Sequence, residues 1–149
     1  MGRQRHEVEH HHENGASVGV LIEHGNRFHC VEALVDGGSA RSLLPYSAVS
    51  VLGLEGTLRR PRLIRLAGGA RARAWRTSAP LNARLAELVN DEPRHFGPEV
   101  RLDPWFVKAP RRLLGAAAPA PRPLVGRQDF LSNFDYSVTG DRLTLEWED

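Results

Sequence analysis

Asp36 closes an apolar run and is followed at once by Gly37, Gly38 and Ser39 in the stretch ALVDGGSARSLLP (33–45). A carboxylate can take a proton from water or give one to a carbonyl oxygen, and neighbouring glycines let backbone N–H groups approach and aim at it. The same residue types also build ordinary chain reversals, so the stretch gains meaning only from its surroundings. Two other reactive groups are weaker. His6 and His10 in HEVEH (6–10) match the zinc pattern H-E-x-x-H, but the flanking residues offer no apolar face that would bury a helix, and no metal site is expected there. Cys30 stands beside His29, yet neighbours along a strand point to opposite faces, so Cys30 reads as a small strand residue. As the single cysteine it has no partner within the chain for a disulfide.

The elements that must position Asp36 follow from the hydrophobic pattern. With 149 residues, 41% of them hydrophobic, the chain holds one domain's worth of material, small enough that association with a second copy is attractive. No run approaches the roughly 18 apolar residues of a spanning helix. The segment MGRQRHEVEHHHENG lacks the apolar stretch of a secretory signal, and a cytoplasmic protein is expected. Residues 1–16 are polar and read as a disordered, His-rich tail; residues 17–149 read as the folded domain.

From Val18 onward, short apolar runs are broken by glycine, proline and polar turns, the pattern of an all-β domain. Strands are expected at 18–23 and 28–36, joined through 24–27, with the second ending on Asp36. A short helix is expected over 46–54, after Pro45 and with Gly53 near its end. The segments 58–67 and 70–75 flank Gly68-Gly69 and predict a projecting hairpin. Residues 79–88 fit a strand or a helix equally by spacing, and 100–109 a strand. The stretch GAAAPAPRP (115–123) is a connecting loop. It leads to Leu124-Val125-Gly126, a short helix over 127–134, and a closing hairpin over 135–148 that turns at Gly140-Asp141.

Three features in this order resemble the retropepsin-like aspartic proteases: the strand ending in VDGGS (35–39), the glycine-tipped hairpin, and LVGRQDFLSNFDYSVTGDRLTLE (124–146). The resemblance spans most of residues 18–147. It implies a closed β-barrel of the acid-protease type with a short helix before the C-terminal strands, acting as a homodimer on a protein or peptide substrate without a cofactor. Asp36, Gly38 and Ser39 match the active-site loop of that family, and Leu124, Val125 and Gly126 match the apolar-apolar-Gly motif beneath it. Ala67, Gly68, Gly69 and Ala70 fall at the tip of the flap that closes over substrate. Two carboxylates sharing one proton can serve as base and acid together, and one chain supplies one such loop. The implied enzyme is therefore a symmetric dimer with Asp36 of each copy on the two-fold axis.

Two positions depart from the family. Gly37 stands where the family has threonine or serine, whose hydroxyl reaches the partner loop. Ala40 stands where viral relatives have an aspartate that pairs with the arginine corresponding to Arg127, which leaves Arg127 to find Asp129, Asp135 or the C-terminal carboxylates. The expected activity is that of an aspartic endopeptidase, with a non-cutting peptide-binding module as the alternative. Seven arginines and no acid lie between Arg59 and Arg76. They predict a positive hairpin, attractive to acidic peptides or simply solvated. Only Trp75 interleaves with them, which argues against nucleic acid as the partner, and Trp105 and Trp147 read as core or interface residues.

Overall fold

The structure is a computed structural model, describing residues 2–10, 15–66, 69–108 and 121–149. The chain is mainly β. The central hairpin forms as its alternation requires: β2 (Ser17–His24) and β3 (Arg27–Val35) pair antiparallel through a tight turn at Gly25-Asn26. After β4 (Leu43–Pro45) comes α1 (Ser47–Leu52), which buries Ala48, Val49 and Leu52 and stops at Gly53. The projecting hairpin is β5 (Arg62–Arg65) and β6 (Arg71–Trp75). Of its expected tip, Gly69 and Ala70 are described: Leu66 N–H donates to the Ala70 carbonyl at 2.7 Å and Gly69 N–H to that of Leu66 at 3.0 Å. Ala67 and Gly68 lie outside the described residues, as does most of the loop before Leu124.

The segment of ambiguous spacing resolves as a strand, β7 (Leu81–Val89), because it can pair on both sides, with β2 and with β8 (Glu92–Leu102). Asn90 and Asp91 make the β7–β8 turn with positive φ of 52° and 63°, residue types that tolerate this conformation. The strand expected over 100–109 is divided at Asp103-Pro104 into the end of β8 and β9 (Trp105–Val107). β10 (Leu124–Val125), β11 (Asp135–Thr139) and β12 (Arg142–Glu148) complete the set.

Nine strands form one sheet in the order β5-β6-β9-β4-β10-β3-β2-β7-β8, and a second sheet has the order β1-β12-β11, with β1 spanning Arg3–Glu9. Neither sheet closes, which corrects the expectation of a closed barrel. The reason lies in the end strands. β5 carries Arg62 and Arg65 and is four residues long, and β8 opens on Glu92-Pro93-Arg94; charge, shortness and proline are what keep edges from pairing. The gap is covered by packing: Leu143 and Leu145 of β12 are fully buried in the same core as Val20, Leu85 and Phe106, and Val8 and Trp147 pack against it.

The amino-terminal segment is the second correction. Expected to be disordered, residues 3–9 instead pair along their whole length with β12, from Arg3↔Glu148 to Glu9↔Arg142. His6 and Val8 turn inward, while Arg3 bridges Asp135 at 2.5 Å and Glu146 at 2.6 Å. His6 rests on the Phe96 ring with centroids 4.8 Å apart, and burial holds its imidazole below the ordinary range, against the pull of Glu87. Extended backbone cannot bring His6 and His10 together as a helical turn would, and no cluster of three or more candidate metal ligands occurs among the described residues. Nor is any helix of the described residues long and apolar enough to cross a membrane.

A third difference concerns residues 127–134. Here a wide turn leads into a short 3-10 turn, Leu131–Asn133, in place of a regular helix. Leu131 N–H bonds to the Gly126 carbonyl and Ser132 N–H to that of Arg127, while the side chains of Ser132 and Asn133 take the carbonyls of Gln128 and Phe130. Such side-chain bonds compete with helical ones. A direct check of the amino-terminal strand is Val8→Ala, which should lower unfolding free energy by about 1 kcal/mol in denaturant titration, with Glu7→Ala nearly silent; a disordered tail would make both silent.

Candidate active site

Asp36 is delivered by β3, whose parallel neighbour β10 sets Leu124 against Leu34 and Val125 against Val35. The Asp36 N–H donates to the Val125 carbonyl at 3.0 Å, so the second apolar motif holds the base of the loop. Beyond it the chain turns sharply. Gly38 N–H donates to Asp36 Oδ1 at 2.9 Å, and Ser39 N–H to the Asp36 carbonyl at 3.2 Å. Asp36 is half-buried, and Oδ2 has no hydrogen-bond partner among the described residues. One oxygen is thus positioned by the backbone.

Gly126 is required by contact. A Cβ there would lie 2.6 Å from the Arg41 carbonyl carbon and 2.9 Å from the Ser39 carbonyl oxygen, closer than any real side chain sits to backbone. The next two residues extend the joint, with Arg127 N–H donating to Ser39 O at 2.8 Å and Gln128 N–H to Ala40 O at 2.9 Å. The Ser39 hydroxyl turns back on its own loop, donating to the Arg41 carbonyl at 2.8 Å. Asp36, Gly37, Gly38 and Ser39 are therefore assembled with Leu124, Val125 and Gly126 in one unit.

Beneath this unit lies a carboxylate that sequence reasoning did not select for the site. Asp129 Oδ1 accepts from the backbone N–H and the hydroxyl of Ser42 at 3.1 and 2.9 Å, and Oδ2 accepts from Asp103 N–H at 3.1 Å. The Ser42 hydroxyl, fully buried, accepts in turn from Gly126 N–H at 3.0 Å. Burial pushes the Asp129 carboxyl above its usual range, against those hydrogen bonds. Asp103 follows the opposite balance. Burial alone would raise it, but hydrogen bonds and charge from Arg76 and Arg41 prevail and hold it below the usual carboxylate range. Both guanidinium groups also lie over the Trp105 ring, at 5.8 and 6.0 Å from its centre.

Arg127 takes none of the acids expected for it. Its side chain donates to the Gly37 carbonyl at 3.4 Å, because Asp129 is engaged with Ser42 and Asp103, and Asp135 with Arg3. Gly37 has a second neighbour. A Cβ at that position would lie 3.0 Å from the hydroxyl of Tyr136, so a tyrosine on β11 brings a hydroxyl beside the slot where the loop has no side chain. Cys30 is half-buried, and burial pushes its thiol up, away from the thiolate form.

The first strand of the hairpin reaches the same region. Ile64 and Arg65 line a groove of about 270 Å³ together with Ser39, Ala40, Leu43 and Trp105. These parts sit in a fold similar to that of a solved retropepsin-like protein. One solved structure with this fold is a retropepsin-like aspartic protease from Rickettsia conorii, which superposes with a TM-score of 0.59 over 98% of this chain and 93% of that one, at 11% sequence identity. At that identity the likeness is one of fold. No protein-family model matches the chain, and no curated protein matches its sequence.

Two substitutions test the geometry. Asp129→Asn sets an amide N–H against one of the three donors, Ser42 N–H, Ser42 O–H or Asp103 N–H, and should cost about 1–3 kcal/mol of stability in denaturant titration. Gly37→Thr should be disfavoured by the Tyr136 hydroxyl and relieved by Tyr136→Phe, with a double-mutant coupling of about 0.5–1.5 kcal/mol; strict additivity would mean that the two residues do not meet.

Proposed function

We propose that the protein is an aspartic endopeptidase that acts as a homodimer, with Asp36 of each copy forming the catalytic pair. The observation that carries this is the Asp36 loop itself, with Oδ1 held by Gly38 N–H and Oδ2 unpartnered among the described residues, in a fold similar to that of a retropepsin-like aspartic protease. One ionised carboxylate removes a proton from a water whose oxygen attacks the peptide carbonyl carbon, and the protonated partner gives its proton to the carbonyl oxygen. The tetrahedral intermediate then collapses: the C–N bond breaks, the leaving nitrogen takes up the proton held by the first carboxyl, and one of the two hydroxyls on carbon returns its proton to the second carboxylate as the new carbonyl forms, which restores the singly protonated pair. Gly38 and Ser39 shape the loop and face the dyad or the substrate backbone. The hairpin tip around Ala67, Gly68, Gly69 and Ala70 closes over an extended peptide, pairing with it as an added strand.

The exposed edge at β11 suits such a pairing. β11 is an edge strand with Tyr136 and Val138 about half exposed, and Tyr136 is the residue beside Gly37. A two-fold contact there brings the same loops of two copies toward one another. A second reading, a dimer that grips peptides without cutting, is favoured by the missing hydroxyl at Gly37.

The test is incubation of an unstructured peptide pool at pH values from about 4 to 7, with wild type and Asp36→Asn in parallel. The proposal expects fragments from wild type and none from the variant. Fragments from both would overturn it, and peptide retention without fragments from either would leave the binding reading.

A further inference from the structure

Arginines on and before the hairpin border two hollows that share Trp105, one of them beside Ser39 of the Asp36 loop. Beside the loop, Leu43, Ile64 and Trp105 offer apolar surface. Trp105 also borders a second hollow of about 310 Å³, lined by Arg59, Arg60, Pro61, Arg62 and Arg76. Two of the nearby cations share one carboxylate, since Asp103 holds Arg41 at 2.7 Å and Arg76 at 2.5 Å. Arg59, Arg60, Arg62 and Arg65 are exposed, and none has an acidic partner among the described residues.

The hairpin also sets like charges face to face. Arg65 and Arg71 are directly opposed across β5 and β6, near the tip, an arrangement that costs stability in an isolated hairpin. β5 is the edge strand of its sheet, so its outer backbone groups are available to an extended chain. An apolar recess next to the reactive loop, then uncompensated positive charge along an unpaired edge, matches one kind of ligand.

We infer that the groove selects acidic peptides: an apolar side chain seated against Leu43, Ile64 and Trp105, with aspartate or glutamate further along the chain meeting Arg59, Arg62 and Arg65. As a statement about substrate choice, this rests on the peptidase reading above. Nucleic acid fits less well because open aromatic surface near these arginines is scarce: Trp75 is buried, and Trp105 already carries Arg41 and Arg76, which leaves no series of rings for successive stacked bases.

The experiment uses two fluorescent peptide pools identical except that one carries Glu and Asp where the other carries Gln and Asn. Binding is measured with the full-length Asp36→Asn protein, and cleavage with wild type. The acidic pool should bind about tenfold more tightly at low salt, with the preference falling several-fold as ionic strength rises from about 0.05 to about 0.5 M. Arg59→Gln with Arg62→Gln should reduce it toward equality, and Arg65→Gln separately should reduce it in part. Equal binding of the two pools overturns the inference, as does tighter binding of a single-stranded oligonucleotide of matched charge. Acidic preference in binding without cleavage by wild type would uphold the groove and overturn the peptidase reading, whereas cleavage of both pools at one rate would do the reverse.

Discussion

A single half-buried carboxylate ties the Asp36 loop to the rest of the molecule. Asp129 accepts hydrogen bonds from Ser42 and Asp103, and Ser42 passes the connection to Gly126. Three chain segments far apart in sequence meet there, and an unpaired carboxylate in that position would be costly. Each donor is therefore held in place by the need to satisfy it. Gly126 can then press against the Ser39–Arg41 backbone, β10 lies alongside β3, and Asp36 is left at the mouth of the joint with one oxygen fixed. Precision at Asp36 comes from bonds made two layers below it.

The wall of the groove has its own electrostatic logic. Asp103 uses its backbone N–H to satisfy Asp129 and its side chain to gather Arg41 and Arg76 over Trp105. This packs two cations against one carboxylate, so that only part of their charge remains uncompensated, and gives the aromatic ring a rigid setting. Further out the compensation stops, and the arginines of β5 and the residues before it carry the field of the hairpin. At the opposite side of the loop, Tyr136 takes the place beside Gly37 where a threonine would project. The departure at Gly37 is thus matched by a side chain from another strand.

Much of this was legible in the sequence where local pattern and local structure agree. The alternation leading into Asp36 and the Leu124-Val125-Gly126 motif marked two strands that do lie side by side, and the glycine pair marked a hairpin. Three things were hidden for physical reasons. The β1 strand has only His6 and Val8 turned inward, and its pairing depends on ionic partners more than 130 residues away. The first half of β8 has proline, glycine and charges where a strand signal needs apolar residues, and is carried by its long pairing with β7. The Asp129 joint links residues 87 and 26 positions apart, and polar side chains at such separations leave no periodic trace. Closure failed as an expectation because a barrel depends on the last pair of edges, and those edges are charged.

On the peptidase reading, cleavage needs two Asp36 carboxylates, one from each copy, and the measurement for this is peptide cleavage by wild-type and Asp36→Asn chains mixed in varying proportion at fixed total concentration, after exchange of partners. If both carboxylates are required, activity follows the square of the wild-type fraction, so an equal mixture keeps about one quarter of it, by random pairing. A linear fall, with about half the activity at equal mixing, would show that each Asp36 acts alone and would contradict the account.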